Sequence, residues 1–276
     1  MRQPRSSRRG RTPLRDTQAA LPGILTGRLA DVPPPVLRIP PSRLALFLDV
    51  DGTLAPIAAK PQGASVPLRT RRLLQLLQRQ GVALAALSGR PLSQVRRLLY
   101  PLDIPLAGSH GAQVSLSGRG SIRSSGPVPQ RIAAILEYGV QRLPGVWLER
   151  KPAAMALHWR QAPQHRAEVS VLAQQVLAHA PGWQVLEGHC VHEVRRQGSD
   201  KGKALGHLMR QPEFAGRWPL AVGDDRTDED AFKVALTLKG GAIRIGVGPN
   251  TAAPWRLRDT DELVVWLGML LRSLRV

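Results

Sequence analysis

Apolar residues follow two alternating patterns along this chain from Leu44 onward, and each pattern predicts a different element. Continuous apolar runs are typical of strands buried on both faces of a parallel sheet. These runs are 44–48, 83–87, 106–108, 219–222 and 242–247. Leucines at helical spacing in 68–80 and 92–100 predict helices between the early strands. Strands that alternate with helices indicate an α/β fold in which helices cover a parallel sheet.

The middle of the chain has a different pattern of predicted elements. It holds two helical stretches, a run that alternates like a half-exposed strand, and a hairpin around Gly188. In chain order these are the helix 132–143, the strand 155–160, the helix 169–179 and the hairpin 185–194. We therefore predict a second α/β domain at 119–195, inserted into a core that comprises 41–118 and 196–276.

Composition predicts a globular protein of a reducing compartment. Hydrophobic residues make up 43% of 276 residues, and this length favours one domain with a sizeable insert, or two domains. The single cysteine, Cys190, excludes an intramolecular disulfide. The apolar helical segment 263–271 is too short to cross a bilayer, and no apolar signal segment follows the Arg-rich start. We expect a cytoplasmic protein with no membrane partner.

Residues 1–40 have the composition of a tail. The first fifteen residues mix Arg, Ser, Pro and Gly with almost no apolar content, and three consecutive prolines begin at Pro33. Such a segment cannot bury enough apolar surface to offset the entropy of ordering it. We predict a disordered basic tail. An interaction arm and a mis-assigned start codon are the alternatives.

The formal charge of +19 suggests nucleic-acid binding at first sight, because Lys and Arg neutralise phosphates. Only six of the 39 basic residues are lysines, and the arginines are scattered through every segment without an aromatic-interleaved patch. A compositional bias toward Arg, Ala, Leu and Pro explains the charge more simply. We therefore expect no nucleic-acid partner, although the charge could steer an anionic substrate.

Two carboxylates one residue apart follow the first predicted strand. Asp49 and Asp51 stand where the run 44–48 gives way to Gly52, and open α/β sheets bind ligands beyond the carboxyl ends of their strands. One carboxylate there can attack phosphorus and form an aspartyl-phosphate. The other can pass a proton to the leaving oxygen and later take one from water. The alternative is a solvated turn, since Asp and Gly are common turn residues.

Three later segments carry groups that suit phosphate chemistry. Ser88 opens a Ser-Gly-Arg-Pro segment after the run 83–87, where the free N–H groups of a helix start can cradle a phosphate oxygen. Lys201 and Lys203 can supply positive charge. The acidic run 223–230 suits a hard cation such as Mg²⁺. Each segment alone could be a cap, a solvated face or a loop, but their order favours catalysis.

A fifth cluster resembles a transition-metal site. It comprises His189, Cys190, His192 and Glu193, but closed zinc sites usually take ligand pairs from separated segments. Alternation along a strand would put Cys190 and His192 on one face, and His189 and Glu193 on the other. We expect no metal here, and favour His189 and Glu193 as groups that face a sugar.

The segments around Asp49, Ser88, Lys201 and Asp224 occur in the order of the four motifs of haloacid-dehalogenase-type phosphatases. Within that superfamily the chain resembles the trehalose-6-phosphate phosphatase family from about residue 44 to its end. Further similar segments are 108–112, 156–160, 193–194 and 223–229. The resemblance implies a Rossmann-like core with an inserted α/β cap domain that closes over the active site. It also implies Mg²⁺-dependent hydrolysis of trehalose 6-phosphate.

The resemblance assigns roles to individual residues. Asp49 would be the nucleophile, Asp51 the acid and then the base, and Lys201 the balancing charge. Phosphate oxygens would contact Thr53, Ser88, Gly89 and Lys201. Mg²⁺ would be bound by Asp49, the backbone carbonyl of Asp51 and Asp224, with Asp225 and Asp228 supporting the ion and its waters. The sugar would contact Arg90, His110, Gly111, Lys151, His158, Arg160 and Glu193.

Some positions depart from the family pattern, and all of them lie outside the four motifs. Gln113 stands where Glu is common, His189 where Lys is frequent, and Arg195-Arg196 where a basic residue and Pro are usual. These departures concern sugar recognition rather than hydrolysis.

Two alternative functions remain open. Another sugar phosphate, such as sucrose phosphate, could be the substrate, because related phosphatases keep the core and change the cap. The non-enzyme alternative is a basic nucleic-acid-binding protein built on an inactive phosphatase core. Loss of catalytic activity in evolution would tend to remove one of the four motif groups, and all four are present. The expected partner is a small-molecule sugar phosphate, and a monomer is favoured.

Overall fold

The structure is a computed structural model that describes residues 32–58, 61–116, 122–124, 126–188, 190–248 and 250–274. Most of the predicted tail, together with His189, lies outside these residues. Within the predicted tail, residues 32–40 pack on the core: Leu37 is buried, and Trp266 Nε1 donates to the Pro35 carbonyl at 3.3 Å.

Twelve strands and seven helices are present in the described residues. The strands are β1 (Leu44–Leu48), β2 (Ala83–Leu87), β3 (Leu106–Gly108), β4 (Gln113–Ser115), β5 (Ile122–Ser124), β6 (Trp147–Lys151), β7 (Ala154–His158), β8 (Trp183–Gly188), β9 (Val191–Arg196), β10 (Trp218–Gly223), β11 (Gly241–Ile245) and β12 (Trp255–Leu257). The helices are α1 (Leu68–Arg79), α2 (Leu92–Leu99), α3 (Gln130–Val140), α4 (Arg166–His179), α5 (Lys201–Leu208), α6 (Asp228–Thr237) and α7 (Thr260–Ser273).

The main sheet has eight strands in the order β12-β11-β10-β1-β2-β3-β4-β5. All pairs from β12 to β3 are parallel, whereas β4 and β5 are antiparallel additions at one edge. Every residue of β1 and β2 is buried, as their continuous apolar sequence predicts. The predicted α/β fold with a mostly parallel sheet is confirmed.

Helices cover both faces of the main sheet. Leu46 of β1 belongs to the hydrophobic cluster of α1, α2 and α7, while its neighbour Phe47 packs with α5 and α6 through Leu205 and Phe232. Alternate side chains of one strand therefore enter two separate cores. No helix in the described part of the chain is long and apolar enough to cross a membrane.

A second, antiparallel sheet lies within the predicted insert. Its order is β6-β7-β9-β8, and α3 and α4 pack on one face through Leu136 and Val169. The predicted hairpin around Gly188 is confirmed as β8 and β9. The prediction of a half-exposed strand at 155–160 was wrong: β7 ends at His158, and its first four residues are buried. Both faces of this central strand are covered, so its side chains do not alternate in exposure.

Candidate active site

The carboxyl ends of β1, β2 and β10 meet at one edge of the main sheet, since Leu48 pairs with Val222 and Ala86 lies beside Leu48. Sequence segments far apart in the chain therefore converge there. A cavity of about 320 Å³ opens at this edge and is lined by core residues as well as by residues of the second sheet. The core contributes Asp49, Asp51, Gly89, Arg90, His110 and Lys201 among others.

A buried ammonium group joins two carboxylates at the base of the cavity. Asp200 caps α5 by accepting from the Lys203 backbone N–H at 2.7 Å, and Lys201 is the first residue of that helix. Lys201 Nζ donates to Asp49 Oδ1 at 2.6 Å and to Asp228 Oδ1 at 2.7 Å. Burial lowers the pKa of Lys201, but the charges of Asp228 and Asp49 more than offset it, so the pKa is raised. The lysine therefore stays charged.

Carboxylate oxygens of Asp49, Asp224 and Asp228 lie within 4.8 Å of one another. Burial, together with the charge of Asp228, raises the pKa of Asp224 to about 6. Burial also raises the pKa of Asp49, against the opposing charge of Lys201. Three carboxylates face one ammonium group, so the cluster carries an excess of negative charge. An all-oxygen set with excess negative charge fits a hard divalent cation.

The turn after β1 brings the backbone against this cluster. Gly52 has a φ of +82°, and a Cβ there would lie 2.1 Å from Asp224 Oδ2, so only glycine fits. The buried Thr53 donates from Oγ1 to Asp224 Oδ1 at 3.3 Å. Asp228 Oδ2 accepts from the backbone N–H groups of Asp224 and Asp225 at 3.2 and 3.0 Å. These bonds fix the position of the loop after β10.

The Ser-Gly-Arg segment follows β2 and begins α2 through Pro91. Ser88 is buried, and its Oγ accepts from the Arg90 backbone N–H at 3.1 Å. The Arg90 guanidinium forms a two-pronged pair with Asp51: Nε to Oδ2 and Nη2 to Oδ1, each at 2.6 Å. Asp51 therefore points toward Arg90, and its side chain lies outside the cluster of three carboxylates.

The second sheet supplies the opposite wall of the cavity. Glu149, Lys151 and His158 line it, and His158 Nε2 lies 3.0 Å from Glu149 Oε2. Lys151 Nζ donates to Glu193 Oε2 at 2.5 Å. The cavity-lining residues of this sheet lie on the face opposite α3 and α4, because side chains alternate along a strand and the adjacent Leu148 and Leu157 pack toward those helices.

His110 connects the two parts of the site. Its backbone is left-handed at φ 53° directly after Ser109 at φ 49°, an uncommon conformation for residues other than glycine. His110 Nε2 lies 3.7 Å from Glu193 Oε1. Burial is the main reason that the pKa of His110 is lowered to about 4. The imidazole is therefore neutral at physiological pH.

Some of the predicted site residues are placed elsewhere. Gly111, at φ +91°, packs against the Asp200 carbonyl and lines a neighbouring groove. Arg160 is exposed beyond β7 and does not line the cavity. Asp225 lines the rim of the cavity but is exposed and lies outside the carboxylate cluster. The roles of these residues remain predictions.

His192 and Glu193 lie on opposite faces of the hairpin, as strand alternation predicts, while His189 lies outside the described residues. His192 faces α4, with Nε2 2.9 Å from Ser170 Oγ and its ring edge-on to Trp159 at 4.5 Å. Glu193 faces the cavity side. Among the described residues, the group of three that could hold a metal ion is the aspartate cluster rather than this hairpin.

The positions that depart from the family pattern have locations in the structure except His189, which lies outside the described residues. Gln113 Oε1 accepts from Ser109 Oγ at 3.3 Å, which supports the left-handed turn at His110. Arg195 is buried, and its Nε and Nη1 have no hydrogen-bond partner among the described residues. Arg196 lies over the Trp183 ring at 5.4 Å.

Sequence reasoning missed Glu149, Gln94, Thr227 and Ile57 as residues that line the cavity. Glu149 could have been found, because it stands two residues before Lys151 and a strand puts both on one face. Trp147 extends the same face and stacks on His158 at 4.0 Å. Thr227 lies in the family-like segment 223–229 but was given no role there. Gln94 and Ile57 belong to no motif, and only the folded chain brings them to the cavity.

Comparison with known proteins agrees with this geometry. The family model for trehalose-phosphatase matches residues 47–261. The chain is 38% identical to the trehalose-6-phosphate phosphatase of Escherichia coli (strain K12) over 85% of this chain and 89% of that protein. It is likewise 38% identical to a probable trehalose-phosphate phosphatase of Sinorhizobium fredii over 73% of this chain and 77% of that protein.

Solved structures show the same fold. The C-terminal domain of C. albicans trehalose-6-phosphate phosphatase matches with a TM-score of 0.71 at 23% identity, over 84% of this chain and 93% of that one. A haloacid dehalogenase-like hydrolase from Bacteroides thetaiotaomicron matches with a TM-score of 0.63 at 17% identity, over 82% and 98%. The fold is therefore haloacid dehalogenase-like. The chain belongs to the trehalose-phosphatase family, and it is a phosphatase, a phosphomonoester hydrolase.

Proposed function

We propose that this protein hydrolyses trehalose 6-phosphate to trehalose and phosphate through an aspartyl-phosphate, with Mg²⁺ as its cofactor. The observation that carries the proposal is the buried contact of Lys201 with Asp49 beside the cluster of three carboxylates. Lys201 lies 152 residues from Asp49 in sequence, and family membership supports the same substrate. We also propose that 41–118 and 196–276 form the core and that 119–195 form the cap.

The reaction follows from the two carboxylates after β1. An oxygen of Asp49 attacks phosphorus, and the bond from phosphorus to the sugar oxygen breaks. Asp51 donates a proton to that oxygen, so trehalose leaves as a neutral alcohol. Water then attacks the phosphorus of the aspartyl-phosphate while Asp51 takes its proton, and free phosphate and the Asp49 carboxylate are regenerated. Lys201 orients Asp49 for attack and offsets part of the negative charge at the site.

Mg²⁺ would be held by Asp49, the Asp51 backbone carbonyl and Asp224, with Asp225 and Asp228 supporting them. When bound, it would offset the repulsion between anionic Asp49 and the phosphate, and it would stabilise charge on the phosphoryl oxygens. Asp228 already holds Lys201 and two backbone N–H groups, which suits a supporting role. Thr53, Ser88 and Gly89 would bind phosphate oxygens from the core side.

We propose that the second sheet recognises the sugar. Lys151 and His158 line the cavity, and Glu193 is held within reach of both Lys151 and His110. Polar groups that protrude from one sheet face match the many hydroxyls of a disaccharide. Glu149 joins this group on the same evidence of location.

The test is a phosphate-release panel with and without Mg²⁺. Trehalose 6-phosphate, sucrose 6-phosphate, glucose 6-phosphate and an aryl phosphate would each be supplied at equal concentration. We expect the highest kcat/KM for trehalose 6-phosphate and loss of turnover on chelation. A higher kcat/KM for sucrose 6-phosphate would make sucrose 6-phosphate the substrate instead. Turnover that is unaffected by excess chelator would show that the reaction does not need Mg²⁺.

A further inference from the structure

All three lysine and arginine side chains that line the described part of the cavity already pair with a carboxylate. Lys201 contacts Asp49 and Asp228, Lys151 contacts Glu193, and Arg90 contacts Asp51. Each cationic side chain that could bind an incoming phosphate dianion is therefore already paired with a carboxylate. To gain a full charge-assisted contact, it must displace a carboxylate from one of them.

Burial indicates which pair can yield. The side chains of Lys201, Asp49 and Asp228 are 3%, 5% and 3% exposed, so parting them would leave buried charges without partners. The Lys151–Glu193 pair is 15% and 7% exposed and belongs to the second sheet. In the Arg90–Asp51 pair the carboxylate is 38% exposed. When Asp51 is displaced, its carboxylate can therefore rotate toward solvent. Breaking this ion pair costs less desolvation free energy than breaking either of the other two.

Arg90 also stands in the right place to receive the phosphate. Its backbone N–H donates to Ser88 Oγ, so its guanidinium belongs to the loop whose N–H groups would cradle the phosphate. Nη1 donates to Gln94 Oε1 at 3.2 Å, which orients the group. The two nitrogens that face Asp51 present the fork that carboxylate and phosphate oxygens both fit.

We propose that the substrate phosphate competes with Asp51 for the guanidinium of Arg90, and that this exchange releases the acid/base carboxylate when substrate arrives. The inference rests on the proposed role of Asp51 in the hydrolysis. Arg90 is then a positioning residue that restrains Asp51 before substrate binds, and a phosphate ligand afterwards. Proton transfer is thereby coupled to occupancy, because Asp51 can take a proton from solvent and donate it to the leaving oxygen only after the phosphate has displaced it from Arg90.

The experiment is a double-mutant cycle on phosphate binding. Binding of inorganic phosphate in the presence of Mg²⁺ is measured by calorimetry for wild type, Asp51→Asn, Arg90→Met and the double variant. The amide introduced by Asp51→Asn carries no charge and competes poorly for Arg90, so we expect this substitution to tighten phosphate binding by about tenfold. In the Arg90→Met background, the same substitution should change the affinity by less than about twofold, because no guanidinium remains to compete for.

General repulsion between Asp51 and phosphate predicts a different result. Removing one negative charge would then tighten binding in both backgrounds alike, and that outcome would overturn the proposal. Arg96→Met is the matched control, since Arg96 lies on α2, directly after the loop that holds Arg90, but donates to Ser115 Oγ outside the cavity. It should leave phosphate affinity unchanged. Thermal unfolding of each variant shows whether it is folded at the temperature of the binding measurement.

A crystal structure with Mg²⁺ and phosphate supplies an independent readout. We expect Nε and Nη2 of Arg90 to donate to phosphate oxygens, with Asp51 turned away. Retention of both Asp51 bonds beside a bound phosphate would refute the exchange. Neither measurement depends on turnover of any sugar phosphate, so a failure of the exchange is distinguishable from a failure of the proposed reaction.

Discussion

The two walls of the cavity are built differently. On the core side, Asp49, Lys201 and Asp228 are almost fully buried, and each makes short contacts that originate at the ends of strands and helices. On the side of the second sheet, Lys151 and His158 are partly exposed. They project from strands whose other face packs on α3 and α4.

Under the proposed function, this difference assigns catalysis to the core wall and substrate selection to the opposite wall. A buried cluster of paired charges holds reacting atoms in fixed geometry, and a fixed geometry suits a step that every substrate shares. A partly exposed sheet face can change one side chain at a time without disturbing its core. We expect substitutions on the core wall to affect all substrates, and substitutions on the opposite wall to affect only those that reach it.

The largest effect is expected from Asp49→Asn. An amide cannot attack phosphorus, so phosphate release should fall by at least about a thousandfold for every substrate, while circular dichroism stays unchanged. Asp103→Asn is a matched control, because Asp103 is exposed and does not line the cavity. A loss of only about tenfold, near 1.4 kcal/mol of barrier, would show that Asp49 is not the nucleophile.

Glu193→Ala sharpens the contrast between the walls. We expect kcat/KM for trehalose 6-phosphate to fall by about one to two orders of magnitude, because a charge-assisted bond to a sugar hydroxyl is lost. Part of the loss should appear in kcat if sugar contacts drive closure. Hydrolysis of an aryl phosphate should change little. Glu187→Ala on the neighbouring strand is the control, and equal losses on both substrates would assign Glu193 to the fold instead.

Asp224→Asn and Asp225→Asn test which carboxylate holds the ion. Asp224 lies in the cluster, whereas Asp225 is exposed beside it. The Mg²⁺ concentration that gives half-maximal activity should rise by about ten- to a hundredfold for Asp224→Asn, and much less for Asp225→Asn. Titration of activity with Mg²⁺ measures both. Equal shifts would mean that the cluster geometry does not define the ion site.

The smallest effect concerns stability at the junction of the two walls. The pKa of His110 is about 4 in the folded chain against its usual 6.5. Between these values the unfolded chain binds a proton at this residue that the folded chain does not, so the contribution of His110 to the free energy of unfolding falls as the pH falls from 6.5 to 4, whereas Asp224, with its pKa raised to about 6, contributes in the opposite direction. The full shift corresponds to about 3 kcal/mol, and partial access of water would reduce it to about 1–2 kcal/mol.

His110→Asn should remove this dependence, because Asn does not titrate and tolerates a left-handed backbone. Urea unfolding at several pH values measures it. The exposed His179 provides the matched control through His179→Asn, which should retain the wild-type slope. An unchanged slope in His110→Asn would show that another group governs the acid sensitivity.

The amino-acid pattern alone predicted the first strands of the core and the candidate reacting groups. Continuous apolar runs predicted β1 and β2 at their observed bounds, because strands buried on both faces leave no polar positions. Parallel strands place their carboxyl ends at one edge of a sheet, so the positions of Asp49, Ser88 and Asp224 directly after predicted strands already imply that these residues converge.

The partners of these groups and the shape of the opposite wall depend on tertiary contacts that the sequence pattern does not contain. The pairing of Arg90 with Asp51 and the place of Gly111 in a separate groove depend on how loops pack, and loops carry no periodic pattern. The side chains on both faces of β7 are buried. The alternation of apolar and polar residues in its sequence predicted burial on one face only. The local sequence pattern predicts on which face of a strand or helix a side chain lies. Contacts between segments that are distant in sequence decide which residues pack against that face.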